Sequence, residues 1–260
     1  MLLRNTDEGN LAITQTTHAW VSGQMARAWG NNLFGQVEPH EAVCLAAEQH
    51  DIGWTTWEPE PTLNPETGLP HSFLELPPEL HLSRIWSVAG NLALLTSRYA
   101  ALLVSLHGTN LYNRFRGDPE AAGGLAAKFL EEQEDFQASL IESLSQDPQY
   151  TPFIAPEIVK QNQRLVALWD RMSLNLCWGM GDPLTIDSVP LASGDGPLVL
   201  RPVAGETDVT AVAPWPFSTP TVDLTFDARL LTRRYESQND LLNGLADAQW
   251  RSVILKLRPS

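Results

Sequence analysis

The residues best suited to chemistry are histidines and aspartates that fall on apolar faces. His50 and Asp51 stand side by side near the end of AVCLAAEQHDIGW. On a 3.6-residue period His50 shares a face with Val43, Ala46 and Ala47, so the ring points inward. His18 is placed alike, with Val21 and Met25 three and seven residues further on. Either histidine alone reads first as a hydrogen-bonded core residue. Asp170 shifts the balance. It lies in RLVALWDRMSLNLC, on the face of Val166, Leu174 and Cys177. An ionised carboxylate there needs a partner, because an uncompensated buried charge costs several kcal/mol. The partner is either an arginine, Arg164 or Arg171, or a cation shared with His18, His50 and Asp51. Two imidazoles and two carboxylates suit Mn²⁺, Fe²⁺ or Zn²⁺ and differ from the all-oxygen cage of Ca²⁺.

A histidine in one helix, His-Asp ending the next and an aspartate in a late helix resemble the signature of HD-domain metal-dependent phosphohydrolases. The resemblance implies one metal held by His18, His50, Asp51 and Asp170, with Asp51 bridging to a second ion. Further histidines usually complete the second position in that superfamily. His107, in LLVSLHGTNLY with Ala100 and Leu103 on its face, is the best placed. His71 and His81 sit in or beside a proline-rich stretch and are weaker candidates. The implied reaction is hydrolysis of a small phosphorylated substrate by metal-activated hydroxide, with His107 as second-metal ligand or proton donor. Two alternatives keep the site: a di-iron oxygenase, and a non-catalytic metal- or ligand-binding protein. The phrases HAWVSGQMARAWG, HDIGW, LNPETGLPHSF, LLVSLHG and LWDRMSLNLC are similar to an uncharacterised bacterial family, domain-of-unknown-function family 3891. That family brings no assigned reaction. The chain also departs from the HD pattern. His50-Asp51 is followed by Ile-Gly-Trp and then by Glu58 and Glu60, where phosphate-binding enzymes carry basic residues. Arg114 and Arg116 read as phosphate clamps or as a solvated loop.

These side chains need helices to hold them. One starts after Thr16 or Thr17 and stops at Gly30-Asn31-Asn32; the next opens at Pro39 and ends at Gly53. A third spans Ser83 to Phe115 with a break near Gly108, a fourth begins after Asp118-Pro119, and a fifth starts near Pro156. The acidic run EEQEDF is a solvated helix face. Short alternating runs at MLLR and LAIT, and again after Gly179, read as strands. The expected architecture is mainly α: an HD-domain-like helical core at 15–180 within a single domain of 1–260. Residues 1–14 and 181–260 supply one small antiparallel sheet. Between Trp54 and Leu82, six prolines rule out a regular helix, and Trp54, Trp57 and Phe73 can anchor the segment as a packed lid or plain cover.

Composition narrows the partners. With 17 Lys+Arg against 31 Asp+Glu, the formal net charge is −14, which argues against nucleic acid or anionic membrane. A small-molecule substrate is expected, and a homo-oligomer is left open. Hydrophobic residues make up 43%, enough for a sizeable core. Cys44 and Cys177 fall in apolar helical stretches, as reduced thiols of a cytosolic protein do. The opening MLLRNTDEGNLAIT lacks a signal-peptide run, and Leu92–Leu106 is interrupted by Thr96, Ser97, Arg98 and Ser105. A cytoplasmic location is the expectation.

Overall fold

Apolar side chains at both ends of the first segment make it a hairpin. Strands β1 (Leu2–Thr6) and β2 (Gly9–Ile13) pair antiparallel in the computed structural model, which describes residues 1–113 and 124–260. The first helix, α1 (Gln15–Ala28), is capped by Thr14, whose hydroxyl accepts the Thr17 N–H at 3.0 Å. Thr16 and Thr17, expected as the cap, lie inside the first turn. Helix α2 (His40–Gln49) follows Pro39 and ends on His50, and a 3₁₀ turn over Ile52–Thr56 leads away from it. Gly53 therefore sits inside the turn and does not end α2.

The proline-rich stretch carries a two-residue ribbon, β3 (Leu63–Asn64) with β4 (Leu69–Pro70). Then α3 (Pro78–Leu80) runs into a π-helical segment, His81–Trp86, and on into α4 (Ser87–Leu94). Ser97 caps α5 (Arg98–Tyr112). The break expected near Gly108 falls instead before Ser97. Gly108 lies within α5 because its bare Cα faces Trp86, whose ring would be 3.0 Å from an added Cβ. Two long helices follow, α6 (Leu125–Ser145) and α7 (Pro156–Trp178). The helix start expected after Asp118-Pro119, with Arg114 and Arg116, lies outside the described residues. No helix among the described residues is long and apolar enough to cross a membrane.

The tail supplies β5 (Leu184–Pro190), β6 (Asp195–Pro202), β7 (Val209–Ala213), β8 (Val222–Leu231), a helix α8 (Gln238–Asp247) and β9 (Gln249–Pro259). In β8, Val222, Leu224, Phe226, Ala228 and Leu230 are buried while Asp223, Thr225 and Asp227 face out. The period of two turns one face of the sheet onto the helices. Seven strands join in the order β1-β2-β8-β9-β7-β6-β5, antiparallel throughout except for the parallel pair β7–β9. Helix accounts for 49% and strand for 24%, and the sheet is curled. This is not the mainly α, HD-domain-like fold with a small antiparallel sheet that the sequence suggested. The hairpin does join the tail, through β2 and β8. The error is one of scale and polarity: β8 and β9 reach 10 and 11 residues, and α8 returns the chain so that β9 can lie between β8 and β7. Helix α8 lies where the sequence pattern points only to strands; Ser237 caps it and Leu241 and Leu245 mark its buried face.

Helix α1 packs on α2, α7 and β8, and α5 packs on α2, α6 and α7. Trp29, at the end of α1, meets Trp169 of α7 and Phe217 before β8, each with ring centroids 5.6 Å away and edge to face. These contacts lock the helices that carry the site to the strands that cover them.

Candidate metal centre

Four helical elements converge on one buried point. Helix α1 brings His18, the end of α2 brings His50 and Asp51, α5 brings His107 and α7 brings Asp170. His18, His50 and His107 are 0–2% exposed and Asp51 is 4% exposed. The rings follow one another edge to face, His18 to His50 at 5.0 Å and His50 to His107 at 4.9 Å between centroids. Asp170 faces the histidines: His50 Nε2 lies 3.3 Å from Oδ1 and His107 Nε2 lies 3.7 Å from Oδ2. Arg164, the alternative partner, pairs with Asp195 at 2.8 Å.

Hydrogen bonds fix the direction of two rings. The Ser173 hydroxyl donates to the Asp170 carbonyl at 2.9 Å, so its oxygen accepts from His18 Nδ1 at 2.9 Å. Ser22 donates to that same oxygen at 2.9 Å. His50 Nδ1 donates to the Ala47 carbonyl at 2.8 Å. With Nδ1–H used in this way, a neutral ring presents its Nε2 lone pair. His18 Nε2 then meets Asp51 Oδ2 at 2.7 Å, and His50 Nε2, which has no hydrogen-bond partner, lies 3.8 Å from the same oxygen. Acceptors facing acceptors in a buried site repel unless a proton or a cation stands among them. Two groups have donor atoms close enough to hold an ion, His18/His50/Asp51 and His50/His107/Asp170, and they share His50.

The ionisable groups of the cluster act strongly on one another. Burial works against charge on His50, but Asp51 and Asp170 outweigh it and raise the ring to about 9. Burial works against the Asp170 anion as well, yet His50 and the flanking histidines hold its carboxyl well below the usual carboxylate range. His107 is different. Burial dominates there and pushes the ring down to about 4.

Residues 1–233 match the family described as protein of unknown function (DUF3891). The chain belongs to this family. The match takes in all five cluster residues and every strand through β8. No curated protein and no solved structure matches the chain.

In this DUF3891 chain the cluster opens on a cavity of about 350 Å³, where Asp51, His107 and Asp170 line the wall with Trp54, Phe73 and Trp86. The stretch from Trp54 to Leu82 thus forms one side of the cavity, and Phe73 stacks on Trp178 of α7 at 5.8 Å. Of the two weaker histidine candidates, His81 lines the cavity, whereas His71 bonds Thr62 near the surface at 3.0 Å. Glu58, read from sequence only as an acidic neighbour of the dyad, is buried and accepts the Gln15 N–H at 2.7 Å. Sequence reasoning missed Ser22 and Ser173, which orient His18. Their signal was small hydroxyls on otherwise apolar stripes, four residues after His18 and three after Asp170. It also missed Gln15, which lines the cavity.

Proposed function

We propose that the cluster is a divalent transition-metal centre, holding Mn²⁺, Fe²⁺ or Zn²⁺, in a hydrolase of small phosphoesters. One observation carries the reading: two buried histidines, each anchored through Nδ1–H, aim Nε2 at carboxylates that no arginine or lysine among the described residues pairs with. Metal-ligating histidines are oriented in this way, by a hydrogen bond from the far ring nitrogen. His18, His50, Asp51 and Asp170 would hold one ion, and His107 with Asp170 would help to hold a second, because the single Nε2 lone pair of His50 serves one ion only. Such an ion supplies Lewis-acid stabilisation of charge at phosphorus and acidifies a coordinated water. The order of ligands along the chain is similar to that of HD-type phosphohydrolases, and this supports the reaction class by analogy only.

The chain's own residues would do the rest. Trp54, Phe73 and Trp86 shield the centre from bulk water, which strengthens every charge interaction inside. Burial favours the neutral form of His107 and its Nδ1 has no hydrogen-bond partner, so the ring is available as a ligand.

One observation favours a second reading. Among the described residues no lysine or arginine lines the cavity, so an anionic phosphate would depend on the metal for charge. An iron oxygenase acting on an uncharged substrate has no such need. The two separate in one experiment. Anaerobically purified protein is loaded in turn with Mn²⁺, Fe²⁺ and Zn²⁺ and tested for phosphate release from sugar, nucleoside and aryl phosphates. Metal-dependent release, abolished by chelator and by His50→Ala, is the expected result. Substrate-dependent O₂ uptake with Fe²⁺ and no phosphate release would replace the hydrolase with an oxygenase. A loaded protein silent in both assays would be a binding protein.

A further inference from the structure

The same cavity holds polar atoms that the metal cluster does not use. Gln15 Oε1, Trp54 Nε1 and His81 Nε2 are buried without a hydrogen-bond partner, and all three residues line the wall that Asp51, His107 and Asp170 also line. Gln15 and Trp54 are 3% and 2% exposed. Unpartnered indole N–H groups also occur at Trp29, Trp57 and Trp169, so Trp54 alone would mean little. Two acceptors beside it on one cavity wall are another matter, because buried polar groups are costly unless something meets them.

Each group is held in place. The Gln15 backbone is pinned by its N–H bond to Glu58. Trp54 sits in the 3₁₀ turn that follows Asp51, edge to face with Phe73 at 6.3 Å and with His81 at 5.2 Å. His81 opens the π-helical segment, a distortion of the helix that is frequent at functional sites. Burial favours its neutral ring, in which one nitrogen accepts, and Nε2 remains for a ligand.

The chemistry of an occupant follows from this lining. Two acceptors call for donors, one indole N–H calls for an acceptor, and aromatic walls at Phe73, Trp86 and Tyr112 favour a flat group. No lysine or arginine of the described residues lines the cavity to meet a charge. We infer that the cavity binds an uncharged planar ring bearing hydroxyl or N–H groups, its polar edge on Gln15, Trp54 and His81. Its reactive substituent would point toward His50 and Asp170. This rests on reading the cavity as the substrate site, and it assigns the substrate class: a hydroxylated or N–H-bearing aromatic compound, esterified in the hydrolase reading.

Resorcinol and toluene are the probes, titrated against the full chain with tryptophan fluorescence and saturation-transfer NMR as readouts. Resorcinol should bind about tenfold tighter than toluene, the effect of one to two added hydrogen bonds. His81→Phe, Trp54→Phe and Gln15→Leu should each weaken resorcinol about fivefold and leave toluene unchanged. Equal affinity for the two probes would overturn the inference, as would unchanged resorcinol binding in variants with the wild-type circular dichroism spectrum. If Trp54→Phe fails to fold, His81→Phe decides. The same titration on metal-stripped Asp170→Asn protein keeps the two proposals apart. Resorcinol binding there should persist, and would persist even if no phosphoester were ever cleaved. Binding that requires the metal and ignores His81 would contradict the subsite.

Discussion

Asp51 and Asp170 set the electrostatics of the cluster, and Glu58 shows how differently a third buried carboxyl behaves. Burial pushes Glu58 up to about 7, against the pull of the Met1 ammonium and the Gln15 N–H. Its folded value lies above the ordinary 4.5, so the folded chain holds a proton that the unfolded chain releases. The stability this gives is full below pH 4.5 and is lost as the pH rises through about 7. Relative to Glu58→Gln, the wild type should therefore lose about 3 kcal/mol across that interval, read by urea unfolding at each pH. A constant gap between the two proteins would contradict it. At this scale much was legible. His18, His50, His107 and Asp170 each showed an apolar face in sequence, and the structure brings them to one point. What periodicity could not show is where each ring nitrogen aims. That depends on Ser173 across the helix interface and on the Ala47 carbonyl, and neither contact has a sequence period.

Between the elements, the turn after His50-Asp51 has little room. Gly53 sits where an added Cβ would come 2.2 Å from the Ile85 carbonyl oxygen in the π-helical segment. Gly53→Ala should push the 3₁₀ turn away from that segment and destabilise the protein by about 2–3 kcal/mol, while weakening metal binding. Gly181→Ala is the control: nothing lies within 4 Å of its Cβ, and the melting temperature should stay close to wild type. A Gly53→Ala protein that melts like the control would refute the close approach as a constraint. Helix starts at Pro39 and Pro156 are readable because a proline just before the first turn or inside it leaves a plain sign. The π-helical segment was not, since it arises where Leu82, Ile85 and Trp86 are drawn into the core together. Helix α8 was hidden for another reason. Two buried leucines on a short polar helix are a weak period beside the stronger alternation of the strands around it.

For the whole molecule, the sheet and the helices stabilise each other. The hairpin pairs with β8, Gly30 N–H donates to the Pro216 carbonyl at 2.9 Å, and Phe217 packs on Trp29. A chain ending at Gly181 would leave β2 with an open edge and bare the helical face that the strands cover. It should be insoluble, or melt well below the full chain, in scanning calorimetry. A stable, metal-loaded fragment would show instead that the tail is an independent domain. Sheet membership was foreseeable because two short hairpin strands cannot stand alone. Sheet size was not, because strand order and the parallel β7–β9 pair depend on a return through α8 that local patterns do not encode.

The central claim, that the buried histidines and aspartates hold metal, is tested most directly by elemental analysis. Wild type, Asp51→Ala and Asp170→Ala would be purified anaerobically, with circular dichroism to confirm folding. The account predicts about one or more transition-metal ions per wild-type chain, and occupancy at least about tenfold lower in both folded variants. Folded wild type that carries no metal and cannot be loaded, or full occupancy in both variants, would contradict it.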